Sequence, residues 1–340
     1  MQKKIRVAVI GVGAFGRNHA RVYHQFQQAG EAVELAGIVD ADLPRSQAVA
    51  NEFSTQAFQN VEGLAGKIDA ASVAVPTIHH LRTARTLMEA GIDVLIEKPI
   101  ASSIAEADEI AAIAYKAGRI VQVGHLERFN PAVRATLSLL NQPMFFEVHR
   151  LSVFTPRSLD VDVVLDLMIH DLDVVLSFVQ SPVREIRAVG LPVLSSRVDI
   201  ANVRLEFESG CIANFTASRV STERVRKLRF FQPHQYISID YARQDVIPIP
   251  VDEAAAMALM RGETPPPSSG PVPGINIRKP VIEAGEPLRA ELKAFLEAVR
   301  TRNKPIVSIA DGRAALALAL EINRAISEHH QRANLTTLKH

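Results

Sequence analysis

The 340-residue chain has a single cysteine, Cys211, and no apolar run long enough to cross a membrane. One cysteine cannot form a disulfide within the chain, and no cysteine or histidine cluster has metal-ligand spacing, so we predict no metal site. The net charge is only +1, and lysine and arginine are dispersed, which argues against a nucleic-acid-binding protein. Long charge blocks and internal repeats are also missing. These absences predict a soluble, cytoplasmic globular protein with neither nucleic acid nor membrane as a partner.

The first forty residues carry the most specific motif in the chain. A strand-like apolar run, Ile5–Ile10, leads directly into a G-x-G-x-x-G pattern over residues 11–16, and a second apolar run, Val33–Val39, ends at Asp40. This context is typical of dinucleotide binding, with the pyrophosphate at the start of the following helix. The alternative is a glycine-rich turn in another kind of α/β protein. The cofactor contacts that the pattern predicts are Gly11, Gly13, Ala14, Phe15, Gly16 and Asp40.

Asp40 indicates which dinucleotide is bound. A carboxylate at the end of the second strand accepts hydrogen bonds from the ribose hydroxyls and repels a 2′-phosphate. No cation follows until Arg45. We therefore expect NAD rather than NADP, although Arg45 could reach a 2′-phosphate and leaves NADP open as the less favoured cofactor.

The pattern of predicted elements changes near residue 125. Before it, strands and helices alternate, which is typical of a parallel sheet wrapped by helices. After it, strands dominate behind a long apolar helix, which indicates an open, mostly antiparallel sheet. We predict an α/β protein: a doubly wound Rossmann domain over residues 1–125 and an α+β domain for substrate binding and oligomerisation over residues 126–340. The C-terminal helices could pack back on the first domain. An exposed apolar sheet would favour a homodimer or homotetramer.

A lysine follows the predicted strand Val94–Ile96, in the sequence Glu97-Lys98-Pro99. Doubly wound sheets bind ligands at the edge where their strands end. A lysine at that edge can hydrogen-bond a substrate hydroxyl or carbonyl and stabilise developing negative charge. The alternative is an ordinary surface lysine.

A second set of polar residues lies on the predicted apolar helix Val161–Val179. Asp166, His170 and Asp173 are spaced at i, i+4 and i+7, so they share one stripe of that helix. A histidine flanked by carboxylates on a buried helix can act as a general base. The alternatives are a polar stripe that satisfies the neighbouring sheet, and a metal site, which would need a third close ligand.

Together these motifs resemble the Gfo/Idh/MocA (glucose–fructose oxidoreductase, inositol dehydrogenase, rhizopine catabolism) oxidoreductases over essentially the whole chain. The resemblance includes the glycine pattern, the segment Val75–His80, Glu97-Lys98-Pro99 and the Asp-x-x-x-His pair. It implies that Lys98, Asp166 and His170 are catalytic, that the Lys98–Pro99 peptide is cis, and that the cofactor also touches Pro76, Thr77, His80, Glu97 and Lys98. One departure is residues 160–163, Asp-Val-Asp-Val, where the family often has glycines.

Within the family, the segments Val123–Ala132 and Phe154–Ser158 are similar to the branch that acts on UDP-linked amino sugars. The similarity implies oxidation of C3 of UDP-N-acetylglucosamine, or of a related UDP-sugar, to a 3-keto sugar. Implied substrate contacts are Lys98, Arg128, Asn130, Arg157, Asp166 and His170. Arg219, Arg224 and Arg226 could also receive a diphosphate, because arginine forks match phosphate oxygens. Two alternatives stay open: a dehydrogenase of a free sugar or polyol such as inositol, and a non-catalytic sensor of NAD or sugar.

Overall fold

The computed structural model describes residues 3–155, 161–250, 252–264 and 279–334. The chain divides into two compact units, Met1–Phe129 with Glu286–Ala317, and Asn130–Gly285 with Leu318–His340. The first unit thus ends four residues beyond the predicted boundary at 125 and takes in a second, C-terminal stretch of the chain. Among the described residues, no helix combines the length and the apolar character needed to cross a membrane.

The strands of both units are short and most are rich in buried apolar residues. In chain order they are β1 Ile5–Ile10, β2 Val33–Val39, β3 Ala57–Phe58, β4 Ala70–Val73, β5 Asp93–Glu97, β6 Val121–Gly124, β7 Phe145–Val153, β8 Val183–Leu191, β9 Ile200–Phe207, β10 Ile212–Ser221, β11 Val225–Gln232, β12 Gln235–Asp240 and β13 Asp245–Pro250. The helices are α1 Ala14–Gln28, α2 Leu43–Glu52, α3 His80–Glu89, α4 Ile104–Ala117, α5 Pro131–Thr136, α6 Ile169–Val179, α7 Glu253–Met260, α8 Pro287–Thr301 and α9 Ile309–Arg332.

The first unit is built on a six-stranded parallel sheet in the order β3-β2-β1-β4-β5-β6. The strand order reverses between β1 and β4, which is the arrangement of a doubly wound sheet. The strands at its centre, such as β4 and β5, are buried along their whole length. That burial explains why the sequence shows them as continuous apolar runs rather than as alternating ones. The predicted Rossmann sheet is confirmed.

Helix α8 belongs to the core of the first unit although it lies far along the chain. Its side chains Leu292 and Phe295 are fully buried and join the same apolar cluster as Tyr23 and Phe26 of α1. Just after the helix, Arg302 forms an ion pair with Asp93 at the start of β5. The apolar cluster fixes α8 against α1, and the ion pair joins the end of α8 to β5.

The second unit contains a seven-stranded sheet in the order β13-β12-β11-β7-β10-β9-β8. Only β7 and β10 pair in parallel; the other neighbouring strands are antiparallel. The predicted open, mostly antiparallel sheet is confirmed. Strand β13 was not predicted from the sequence, because it contains Pro248 and Pro250. Prolines are tolerated there because β13 is an edge strand.

The predicted single helix Val161–Val179 is wrong in its first part. Residues Val164–Met168 form a π-helical turn, and the α-helix α6 begins only at Ile169. The side chain of Asp162 secures the start of this turn, because its Oδ1 accepts hydrogen bonds from the backbone N–H groups of Val164 (2.9 Å) and Leu165 (3.0 Å). Asp162, one of the residues at which the sequence departs from the expected family pattern, therefore caps the turn.

Candidate functional site

The glycine turn after β1 is shaped by close backbone contacts. Gly11 has a φ of +83°, and a Cβ atom at this position would lie 2.7 Å from the carbonyl oxygen of Ala74. A Cβ at Gly16 would lie 1.8 Å from the carbonyl oxygen of Gly11. Gly13, the N-cap of α1, has no heavy atom within 4 Å of the place where its Cβ would stand. The space at the start of α1 is therefore open to a phosphate group, as the motif predicts.

Asp40 at the end of β2 is held as a carboxylate. Its Oδ2 accepts a hydrogen bond from Val12 N (2.7 Å), and its Oδ1 accepts from Asp42 N (2.9 Å) and from the Arg45 guanidinium (2.6 Å). Burial opposes ionisation, but the hydrogen bonds from Arg45, Asp42 and Val12 outweigh it and lower the pKa of Asp40. A carboxylate with an arginine beside it thus stands where a ribose is expected.

A cavity of about 260 Å³ in the first unit adjoins both features. Gly11 and Asp40 line one part of it, and Val75 and His79 line another, on either side of the predicted contacts Pro76 and Thr77. Ala14 and Phe15, in the first turn of α1, are exposed. An open glycine turn, an ionised acid and an adjoining cavity fit a dinucleotide, so these residues can hold one.

His80 connects the segments that follow β4 and β5. Its Nε2 lies 2.9 Å from the carbonyl oxygen of Val75, and its Nδ1 lies 3.0 Å from that of Pro99. Burial lowers the pKa of His80, so the ring is neutral and donates to one side only. The Lys98–Pro99 peptide is cis, as the resemblance implies. Because His80 is only 1% exposed, its role in this structure is to hold the two segments together; its contact with the cofactor stays a prediction.

Lys98 stands at the edge of the parallel sheet where the strands end. Strands β5 and β6 are neighbours, with Glu97 opposite Gly124, so Lys98 and His125 both follow the ends of adjacent strands. Burial, together with the positive charges of Lys98 and Arg128, lowers the pKa of His125 to about 3. His125 is therefore neutral, and the two cations lie close enough to act on one ring. Two cations so placed are of the kind that can stabilise an oxygen that gains negative charge.

His125 was not predicted from the sequence as a site residue. The signal that could have found it is its position, because it follows a buried parallel strand just as Lys98 does. Glu97, which precedes Lys98, is nearly buried, at 8% exposure.

In the second unit, Asp166 and His170 lie on the two sides of the junction between the π-helical turn and α6. Both side chains are partly exposed. π-helical turns are rare and often occur at functional sites. The neighbouring residue Asp171 anchors this part of the chain, because it forms a buried ion pair with Arg150 of β7. The pair has two hydrogen bonds, Nε–Oδ2 at 2.5 Å and Nη2–Oδ1 at 3.0 Å. The ion pair anchors α6 to the sheet at the residue next to His170.

Several predicted substrate contacts have other partners in the structure. Asn130 is the N-cap of α5: its Oδ1 accepts from Ala132 N, its Nδ2 donates to the carbonyl oxygen of Tyr241, and it is 2% exposed. Arg219 is buried in an ion pair with Asp199, so its guanidinium is not open to a phosphate. Arg224 and Arg226 are exposed. Arg157 lies outside the described residues, as does most of the proline-rich segment 262–280.

Comparisons with known proteins agree with this architecture. The family model for an oxidoreductase family with an NAD-binding Rossmann fold, GFO_IDH_MocA, matches residues 5–125, and that for a GFO/IDH/MocA C-terminal domain matches residues 139–233. The UDP-N-acetylglucosamine 3-dehydrogenase of Acidithiobacillus ferrooxidans is 34% identical over 332 residues, which cover 96% of this chain and 99% of that protein. A crystal structure of that enzyme has a TM-score of 0.85 to this chain at 31% identity, with the same two coverages.

More distant relatives include inositol dehydrogenases. The inositol 2-dehydrogenase of Rubrobacter xylanophilus is 27% identical over 232 residues, which cover 64% of this chain and 66% of that protein. The structure of apo scyllo-inositol dehydrogenase from Lactobacillus casei has a TM-score of 0.78 at 17% identity and covers 97% of this chain and 98% of that one. The latter likeness concerns the fold alone.

Two alanine substitutions in the glycine turn should separate folding from cofactor binding. Gly16→Ala should destabilise the first unit by about 1–3 kcal/mol or more, because its Cβ would overlap the backbone of Gly11. Gly13→Ala should cost less than about 1 kcal/mol, since its Cβ meets no protein atom. It should nevertheless weaken NAD binding, because that Cβ would occupy the phosphate space. Urea unfolding and NAD titration of both variants would test this; unchanged NAD affinity in Gly13→Ala would contradict the assignment.

The two family matches contain the predicted site residues of the two units. The first includes the glycine turn, Asp40 and Lys98, and the second includes Asp166 and His170. A relative more than 30% identical spans nearly the whole of both chains. This protein belongs to the Gfo/Idh/MocA family of NAD-binding oxidoreductases.

Proposed function

We propose that this protein oxidises the C3 hydroxyl of UDP-N-acetylglucosamine, or of a closely related UDP-sugar, to the 3-keto sugar, with NAD as the cofactor. The observation that carries the proposal is the full-length likeness to a UDP-N-acetylglucosamine 3-dehydrogenase. The inositol 2-dehydrogenase that matches over about two thirds of its length supports the same class of reaction but is less similar. The presence of Lys98, Asp166 and His170 together favours an enzyme over a sensor, because a sensor needs no base.

In this reaction the bound nicotinamide supplies the acceptor for the hydride that leaves the carbinol carbon. His170 removes the hydroxyl proton as a general base, and Asp166, one turn earlier, orients the imidazole. Lys98 holds the reacting oxygen and stabilises its developing negative charge, with Arg128 adding positive charge at the same edge. Positioning and charge stabilisation then supply much of the acceleration.

The choice of NAD over NADP follows from Asp40. Its carboxylate is ionised and would repel a 2′-phosphate, and it also engages the nearest cation, Arg45. Arg45 keeps its charge but is held in an ion pair with Asp40, beside the expected ribose position.

A substrate panel tests the proposal directly. Purified protein with NAD would be mixed with UDP-N-acetylglucosamine and, in parallel, with free N-acetylglucosamine, myo-inositol and glucose, while the absorbance of reduced nicotinamide is followed. We expect a signal with the UDP-sugar only. A stronger signal with a free sugar or polyol would show that the proposed substrate is wrong. Silence with all four, with NAD binding confirmed and no product in the presence of a keto-acid acceptor, would overturn the proposed activity.

Lys98→Ala and His170→Ala should each lower kcat by about 10²–10⁴-fold, the usual contribution of a proton-transferring or charge-stabilising group. NAD affinity should stay close to that of the unmodified protein, since the glycine turn and Asp40 are untouched. Lys116→Ala, at an exposed position on α4, is the control and should retain full activity. Steady-state kinetics and NAD titration would check this; activity that survives both substitutions would refute the roles assigned here.

Asp40→Ser should shift cofactor preference toward NADP. The substitution removes the repelling charge and releases Arg45, so the ratio of NADP to NAD affinity should rise by about tenfold or more. Adding Arg45→Ala to the same variant should abolish the gain, because the released guanidinium would then be missing. Titration of each variant with both cofactors measures these affinities. Equal NADP affinity in the single and double variants would show that a group other than Arg45 contacts the 2′-phosphate.

A further inference from the structure

Three titratable side chains meet inside the first unit: His19 of α1, Glu97 at the end of β5, and Glu291 of α8. Their side-chain nitrogen and oxygen atoms lie within 4.8 Å of one another, and His19 Nε2 is 3.1 Å from Glu97 Oε1. His19 and Glu291 are fully buried. Among the described residues, neither carboxyl oxygen of Glu291 has a hydrogen-bond partner. Glu291 is thus a buried polar group aimed at the other two.

The surroundings of Glu291 disfavour a negative charge. Helix α1 presents His19 and Tyr23, whose hydroxyl is already bonded to Ser72 Oγ at 3.0 Å, and β5 presents Glu97. The 3₁₀ turn Leu126–Phe129, which also packs against α8, carries Glu127 and Arg128. In the described parts of the chain, no ion pair joins Glu291 to a lysine or arginine. Burial and the charge of Glu97 raise the pKa of Glu291 well above its usual value.

The carboxyl group of Glu97 is enclosed as well. A Cβ at Gly124 would lie 2.7 Å from Glu97 Oε1, so β6 packs directly against that oxygen. His19 and Glu291 approach from α1 and α8. The next residue along the chain is Lys98, so whatever holds Glu97 also sets the backbone from which Lys98 projects.

We propose that Glu291 carries a proton at neutral pH and that its O–H group is the donor that secures the Glu97 carboxylate, which makes Glu291 a positioning residue for Lys98. A shared proton satisfies two buried carboxyl groups without a second buried charge. The part that concerns Lys98 rests on the proposed function; the protonation of Glu291 does not.

The first test uses stability and needs no substrate. Glu291→Gln keeps the shape and an N–H donor but cannot ionise. A glutamate protonated in the folded state and ionised in the unfolded state loses stability as pH rises above its unfolded pKa of about 4.3. The ratio of the unfolding constants of wild type and Glu291→Gln should therefore rise about tenfold per pH unit above that value and level off at the folded pKa.

Urea unfolding followed by circular dichroism between pH 5 and pH 8 measures this ratio. The matched control is Glu297→Gln on the same helix, at a side chain that is 60% exposed, and its ratio should not change with pH. A ratio for Glu291→Gln that is equally flat would overturn the proposal. So would stoichiometric bound metal in the wild type that is lost in Glu291→Gln, because a cation would then occupy the place of the proton.

The second test concerns position. Glu291→Met has a similar length but no donor, and it should lower kcat about ten- to a hundredfold, the cost of a misplaced catalytic group, while leaving NAD affinity and the KM for the sugar unchanged. Glu291→Gln should have a kcat close to that of the wild type, because its amide N–H replaces the donor. If Glu291 only filled space, Gln and Met at this position would give the same kcat. Wild-type kcat in Glu291→Met would overturn the positioning role. If no sugar is oxidised by any variant, the proposed function fails, and the stability series still decides the protonation.

Discussion

The first unit depends on how closely α1 approaches β1. A single methyl group at Gly16 would stand 1.8 Å from the backbone oxygen of Gly11, so the helix can take this position only without a side chain there. The same approach brings the next turn of α1 onto the ends of the central strands, where His19 meets Glu97 and Tyr23 meets Ser72. A glycine motif usually explained by its phosphate therefore also determines which side chains lie behind Lys98.

In the second unit, hydrogen bonds and an ion pair position the predicted site residues. At the start of the π-helical turn, one carboxylate oxygen of Asp162 accepts hydrogen bonds from two backbone N–H groups, and its other oxygen accepts one from Asn323 of α9. The ion pair of Arg150 and Asp171 then fixes α6 to the sheet. Directional hydrogen bonds, rather than the absence of side chains, position Asp166 and His170.

Much of this could be predicted from local sequence, because parallel strands, glycine turns and helix caps have short-range signatures. The cap at Asn130 is an example: Asn followed by Pro is the typical order of an N-cap and first helical residue, and the Asn130 side chain caps α5. The π-helical turn escaped prediction since the apolar pattern of residues 161–179 is the same for either helix. Edge strand β13 was missed because its prolines count against a strand until its place in the sheet is known. The meeting of Glu291 with Glu97 has no local signature at all, since the two residues are joined only by tertiary packing.

Burial keeps two titratable groups near Lys98, His125 and the proposed neutral acid Glu291, without charge, which favours the proposed chemistry. His125 is buried and neutral, so it adds no charge of its own and leaves Lys98 and Arg128 as the cations of this edge. Glu97 directly precedes Lys98 and Glu127 directly precedes Arg128, and an ionised carboxylate at Glu291 would add a further negative charge in a region where screening by water is weak. A proton on Glu291 removes that opposing charge. In the proposed mechanism, Lys98 and Arg128 then face the oxygen that becomes negative without an added charge from Glu291, and the packing of α8 would act through a neutral acid that does not touch the substrate.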